Sequence, residues 1–179
     1  MKIPVFLSYP KPYLSRQEEF VKRITNYLSE RGLEPMTLGV SDYDIDAPLS
    51  GIRRLLMSSN GLIAIAFRRS YIKEGLCKPN SDIGQENDIS DTWLTSPFCQ
   101  IEPAMAFQMG LPILILREKG VIADGVLEKG VLGIYMPEFD LDCDLNDYFK
   151  SSEWNQIIRK WEGLVRTVDD LKGRPPKLY

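Results

Sequence analysis

The chain has 179 residues and not one histidine. That absence excludes Ser-His-Asp and Cys-His nucleophile activation, and any zinc site built on imidazole. Cysteine is scarce. The three present, Cys77, Cys99 and Cys143, are widely spaced and odd in number, which fits neither a disulfide framework nor a paired CxxC metal site. Long apolar runs are missing as well. The most hydrophobic windows, residues 62–67 and 111–116, are far shorter than a bilayer span. Charge of neither sign dominates: the formal net charge is -3, so no global pull toward nucleic acid or an anionic membrane is expected. The two glycine-rich phosphate cradles, GxGxxG after a first strand and GxxxxGK[ST], are also absent. This argues against hydride-transfer dinucleotide enzymes and P-loop nucleotidases. Chemistry in this chain must rest on carboxylates, hydroxyls, lysine, arginine or the backbone.

What is present is an alternation of short apolar runs and helical patterns in a chain of single-domain length. Residues 3–8 read as a buried first strand. Ser15 and Glu18 suggest a capping box, and Phe20, Ile24, Tyr27 and Leu28 follow at helical spacing until Gly32. Residues 33–38 form a short second strand and 39–46 a polar loop. A helix follows that Asp46 is placed to cap, with Pro48 in its first turn and Ile52, Leu55 and Leu56 on its inner face. Residues 62–67 read as a central strand, 111–116 as the next, and 132–136 as a last short one. Trp154, Ile157, Ile158, Trp161, Leu164, Val165 and Val168 mark a long amphipathic helix, and residues 173–179 a loose tail. This pattern predicts one α/β domain over residues 1–179: a parallel sheet of about five strands with helices on both faces. Residues 68–95 are polar and aperiodic, and long for a connection, so the expectation there is a mobile loop insertion acting as a lid.

The segment Ser96-Pro97-Phe98-Cys99-Gln100-Ile101-Glu102 stands just before the strand at 111–116. Ser96 is placed to cap a helix with Pro97 at its first position. Glu102 shares a helical face with Phe98, Cys99 and Ala106, which is apolar. Two readings stand: a carboxylate aimed at a ligand in the crevice outside the strand ends, or a glutamate that favours the helix dipole. Pro103 removes a backbone bond, so it either bends the helix beside Glu102 or marks a later start. The strand-end residues Ser8, Tyr9, Asp42, Arg68 and Ser70 are expected to converge on Glu102, with Trp93 in the long loop and Phe98 and Cys99 on its helix. Tyr9 suits stacking on a ring, and the pair Arg68-Arg69 suits phosphate. The plain alternatives are a strand-end turn and a solvated surface pair. Trp93 either covers a ligand or ties the loop to the core. No metal ligands are expected.

Several of these motifs, in order, resemble a Toll/interleukin-receptor (TIR) domain. Val5-Phe6-Leu7-Ser8-Tyr9 is similar to the family's first-strand box. Residues 42–48 lie where its BB loop falls, and Arg68-Arg69-Ser70-Tyr71 resembles its serine-tyrosine strand end. Ser96-Pro97-Phe98-Cys99-Gln100-Ile101-Glu102 resembles Ser-x-Trp-Cys-x-x-Glu, and Pro112-Ile113-Leu114-Ile115-Leu116 matches the strand after it. The likeness covers roughly the first two-thirds of the chain. Phe98 replaces the usual tryptophan, and the insert before Ser96 fits a prokaryotic type. Glu102-Pro103-Ala104-Met105-Ala106 with Gly110 and Pro112 also resembles nucleoside 2-deoxyribosyltransferases, which carry a glutamate nucleophile. The resemblance implies a flavodoxin-like TIR fold and cleavage of an N-glycosidic bond, with Glu102 as the catalytic residue.

The TIR likeness implies NAD⁺ as substrate, with no bound cofactor, and ADP-ribose or a cyclic isomer as product. It also implies a signal to a downstream effector protein, as in antiphage defence, and a homo-oligomer formed on activation through residues 42–48. Two further readings accompany it: a nucleoside deoxyribosyltransferase or nucleotide N-glycosidase, in which Asp42 or Asp44 is a second carboxyl, and a non-catalytic TIR adaptor acting by self-association. The opening Met1-Lys2-Ile3-Pro4 lacks the apolar region of a signal peptide, so the expected location is cytoplasmic, with no nucleic-acid or membrane partner.

Overall fold

The computed structural model describes residues 2–38, 47–135 and 137–172. In chain order the elements are β1 (Ile3–Ser8), α1 (Ser15–Glu30), β2 (Leu33–Met36), α2 (Pro48–Ser58), β3 (Leu62–Ala66), β4 (Ser70–Ile72), β5 (Leu76–Cys77), β6 (Asn87–Asp88), β7 (Thr92–Leu94), α3 (Phe98–Gln108), β8 (Ile113–Arg117), a 3₁₀ turn (Gly125–Leu127), β9 (Ile134–Tyr135), α4 (Leu145–Lys150) and α5 (Ser152–Leu171). Five strands pair in the order β2-β1-β3-β8-β9, and every neighbouring pair is parallel. Counting these sheet strands along the chain gives 2-1-3-4-5, the order of flavodoxin-like sheets. The expected α/β architecture is therefore present.

Strand alternation divides the core. Val5, Leu7, Ile63, Ile65, Leu114 and Leu116 face Phe20, Ile24 and Leu28 of α1 and Trp154, Ile158, Trp161 and Val165 of α5. Phe6, Leu62, Ala64, Ala66, Ile113 and Ile115 face Ile52, Leu55 and Leu56 of α2 and Cys99 and Ala106 of α3. β3 is buried throughout because both its faces are covered. Each large aliphatic side chain buried this way is worth roughly 1.5–3 kcal/mol. Gly61 lets α5 close onto the sheet, since a Cβ there would lie 2.6 Å from Val165. Proline is tolerated in β2 because that strand is an edge, where Pro35 stands opposite Val5.

One local expectation is corrected. Ser15 does not cap α1: the N-cap is Leu14, with no side-chain hydrogen bond. Gln17 instead ties the chain ahead of the helix to its first turn, its Oε1 accepting from the Tyr13 N–H at 3.1 Å. The N-cap of α2 is Ala47, with Pro48 in the first turn; Asp46 and the rest of the loop 39–46 lie outside the described residues, as does the tail 173–179. α4 has no counterpart in the sequence reading. Asp144 starts it by accepting the Asn146 N–H at 2.8 Å.

Residues 68–95 are also more regular than their composition suggests. They form an arm of two short antiparallel pairs, β4 with β7 and β5 with β6. Such pairs are set by registers like Tyr71 opposite Trp93 rather than by a long apolar pattern. The arm is tied to the loop after β8, where the Trp93 N–H donates to Gly120 O at 3.0 Å and the Ile122 N–H to Trp93 O at 2.9 Å.

Candidate functional site

Parallel strands bring their C-terminal ends to one edge of the sheet. Ser8 closes β1 there, Arg68 and Arg69 follow β3, and Glu118 follows β8. α3 begins at the same edge. The Ser96 Oγ accepts the Phe98 N–H at 3.3 Å, and Pro97 has helical dihedrals (φ -53°, ψ -28°). The helix runs on through Pro103 to Gln108, so it starts well before the proline. Cys99, Glu102, Pro103 and Ala106 form its buried stripe, whereas Phe98 remains 39% exposed one turn ahead of Glu102.

Glu102 is only 7% exposed and Ser8 only 3%. Burial drives the Glu102 carboxyl up to about 7, and the nearby Ser8 hydroxyl pulls weakly the other way by favouring the ionised form. The Ser8 Oγ is close enough for that influence, yet it makes no hydrogen bond of full geometry. No charged side chain among the described residues offsets the desolvation of Glu102. The arrangement is a carboxyl poised between its two protonation states beside an unpartnered hydroxyl, at the strand edge where open α/β sheets bind ligands. An acid so placed can stabilise or trap a developing positive carbon.

The other sequence candidates fall in different places. Cys99 is 1% exposed, with its Sγ donating to Ile65 O at 3.7 Å and accepting from Thr95 Oγ1 at 3.6 Å. Burial raises its thiol to about 11, which leaves it protonated at neutral pH. Tyr9 packs against the core on the α1/α5 face, as strand alternation after Ser8 requires. Ser70 is exposed at the root of the arm, opposite Leu94. Trp93 packs against Tyr71 with ring centroids 4.9 Å apart and the planes tilted by 49°, and lies under the Arg68 guanidinium. Asp42 and Asp44 lie outside the described residues. Among the described residues no group of three or more Cys, Asp or Glu side chains is arranged to hold a metal ion.

Arg68 belongs to a second cluster that sequence reasoning missed. Its N–H donates to Glu118 Oε2 at 2.8 Å, its Nε to Lys119 O at 2.6 Å, and its guanidinium lies 3.8 Å from Asp142. Glu118 is 2% exposed, and burial raises its carboxyl against the pull of Arg68. Gln17 completes the tie from α1, its Nε2 donating to Arg68 O at 3.3 Å. The only sequence signal was a charged residue directly after an apolar strand, a pattern too common to single Glu118 out. The structure thus brings Ser8, Cys99 and Glu102 together, and gives Arg68 and Trp93 to the attachment of the arm.

No protein-family model matches the chain, and no curated protein matches it in sequence. Solved structures resemble it. The CMP N-glycosidase BcmB of Clostridium botulinum is 16% identical, with 88% of this chain and 98% of that one covered and a TM-score of 0.49. The TIR domains of the activated Roq1 resistosome, which directly recognizes the pathogen effector XopQ, are 13% identical, with 96% and 86% covered and a TM-score of 0.42. A conserved protein from Enterococcus faecalis V583 is 8% identical, with 95% and 99% covered and a TM-score of 0.43. Likenesses of this size carry no assignment of activity. The flavodoxin-like fold rests on the strand order of the chain itself.

Proposed function

We propose that this chain cleaves NAD⁺ at the bond between nicotinamide and ribose, with Glu102 facing the reacting ribose. The observation that carries the reading is the buried, unpaired Glu102 carboxyl, raised to about 7 beside the unpartnered Ser8 hydroxyl at the ligand-binding edge. A scaffold has no use for such a group. Burying an acid without a partner costs stability, and such perturbed acids cluster at functional sites.

The chemistry suits a chain without histidine. When the N-glycosidic bond breaks, its electron pair moves to the ring nitrogen and neutralises the pyridinium, so nicotinamide leaves without needing a proton. The ribose carbon becomes oxocarbenium-like, and a carboxylate beside it stabilises that charge. Water then adds to the carbon and loses a proton, giving ADP-ribose; attack by an adenine nitrogen of the same molecule gives a cyclic isomer instead. A neutral base is a poorer leaving group and calls for a second acid. The candidates for it in this chain, Asp42 and Asp44, lie outside the described residues. In this reading the product is the signal passed to an effector protein.

The test is mass spectrometry of products after incubation of the purified protein with NAD⁺, with CMP and a deoxynucleoside in parallel. The reading expects nicotinamide together with ADP-ribose or its cyclic isomer. Release of a free base from CMP or the deoxynucleoside alone would replace it with the N-glycosidase reading. No turnover of any of them at high protein concentration would favour the adaptor.

A further inference from the structure

The two arginines after β3 have unlike surroundings. Arg68 is spent on Glu118, Asp142, the Lys119 carbonyl and the Trp93 ring, 5.7 Å from its guanidinium. Arg69 is exposed, and its side chain makes no hydrogen bond or ion pair among the described residues. Its backbone is nevertheless fixed, since its N–H donates to Leu94 O at 2.9 Å, two residues ahead of Ser96. That bond holds Arg69 beside the start of α3. Its charge is felt by Cys99, on the same buried stripe as Glu102. The start of α3 offers few free donors of its own. The Phe98 N–H is taken by Ser96 Oγ, the Cys99 N–H by Ser96 O and the Gln100 N–H by Pro97 O. Among the described residues, Arg69 is a free, charged, planar fork on a pinned backbone at this edge, placed to meet an anion.

We propose that Arg69, and not Arg68, grips the phosphate or pyrophosphate of the molecule bound at the Glu102 site, so that the chain selects phosphorylated N-glycosides over bare nucleosides. The proposal rests on the reading of Glu102 as the group facing the reacting ribose. Attachment at Arg69 fixes the far end of the substrate while Glu102 acts on the glycosidic carbon, so the two residues share one ligand without touching each other.

The test compares wild type with Arg69→Gln and Arg69→Lys on two substrates, NAD⁺ and nicotinamide riboside. These carry the same scissile bond, with and without phosphate. The readout is the ratio of their kcat/KM values. ADP-ribose binding is measured by calorimetry on the same proteins, and melting curves check folding. A charge-assisted contact of this kind is worth about 10- to 100-fold. The preference for NAD⁺ should fall by that factor in Arg69→Gln, through KM, with Arg69→Lys between the two. ADP-ribose binding should weaken in parallel. A cleaving wild type whose preference is unchanged in Arg69→Gln overturns the anchor while leaving the reading of Glu102 intact. If wild type cleaves neither substrate, the reading of Glu102 fails. The binding arm then decides alone: ADP-ribose affinity lowered by Arg69→Gln supports the anchor, and equal or absent binding overturns it.

Discussion

From the sequence, Glu102 is either a carboxylate aimed at a ligand or a glutamate that favours the helix dipole, worth roughly 0.3–1 kcal/mol. The structure makes it a buried acid with a carboxyl near 7 instead of the ordinary 4.5. Between those values the folded chain binds a proton that the unfolded chain releases. Stability from this group is therefore full below about pH 4.5 and is lost as pH rises through about 7. Glu102→Gln removes that loss. Its stability relative to wild type should improve by about 2–3 kcal/mol between pH 5 and pH 8. Thermal melting should show this as a gap widening in favour of the variant by roughly 5–10 °C. A gap that is constant with pH would mean that Glu102 titrates like an exposed acid. Helical spacing did put Glu102 on an apolar stripe with Cys99 and Ala106. How deeply that stripe is buried depends on α3 lying over β3 and the end of β1, which no local pattern reveals.

At the scale of elements, the long apolar runs declared themselves. β1, β3 and β8 were legible because each run is flanked by turn signals and buried by neighbours on both faces. α4 and the arm strands were not legible, because they span two to six residues and are fixed by tertiary contacts. The attachment of the arm depends on Arg68 and Glu118. Arg68 is partly exposed and keeps Asp142 and the Lys119 carbonyl, so losing Glu118 chiefly strips the Arg68 N–H of its acceptor, at about 1–3 kcal/mol. Glu118→Ala is expected to lower stability by that order, with hydrogen exchange rising first in residues 68–95 and the strands β1, β3 and β8 still protected. Uniform loss of protection across the sheet would show instead that Glu118 supports the core.

For the whole molecule, five parallel strands in flavodoxin-like order put every strand end that matters on one edge. Both the alternation of strands and helices and the resemblance to TIR domains pointed there. Neither indicated that strand alternation would send Tyr9 to the α1/α5 face, or that Arg68 would be used up by Glu118. The 42–48 loop follows β2, whose C-terminal end lies on this same edge. If subunits complete the site through that loop, specific activity should rise with protein concentration and level off as oligomers saturate. The check is turnover per molecule over a dilution series, alongside light scattering. A stable monomer with constant specific activity would confine the chemistry to a single chain.

The most direct test of the account is NAD⁺ turnover by wild type and Glu102→Gln between pH 5.5 and 8.5, at a concentration where wild type is active. An ionised carboxylate is the working form, so wild-type kcat/KM should climb about tenfold per pH unit below its inflection near 7 and flatten above it. Glu102→Gln, folded and at least as stable at pH 8, should fall by about a hundredfold or more. A folded Glu102→Gln protein that keeps wild-type turnover across this range would contradict the account.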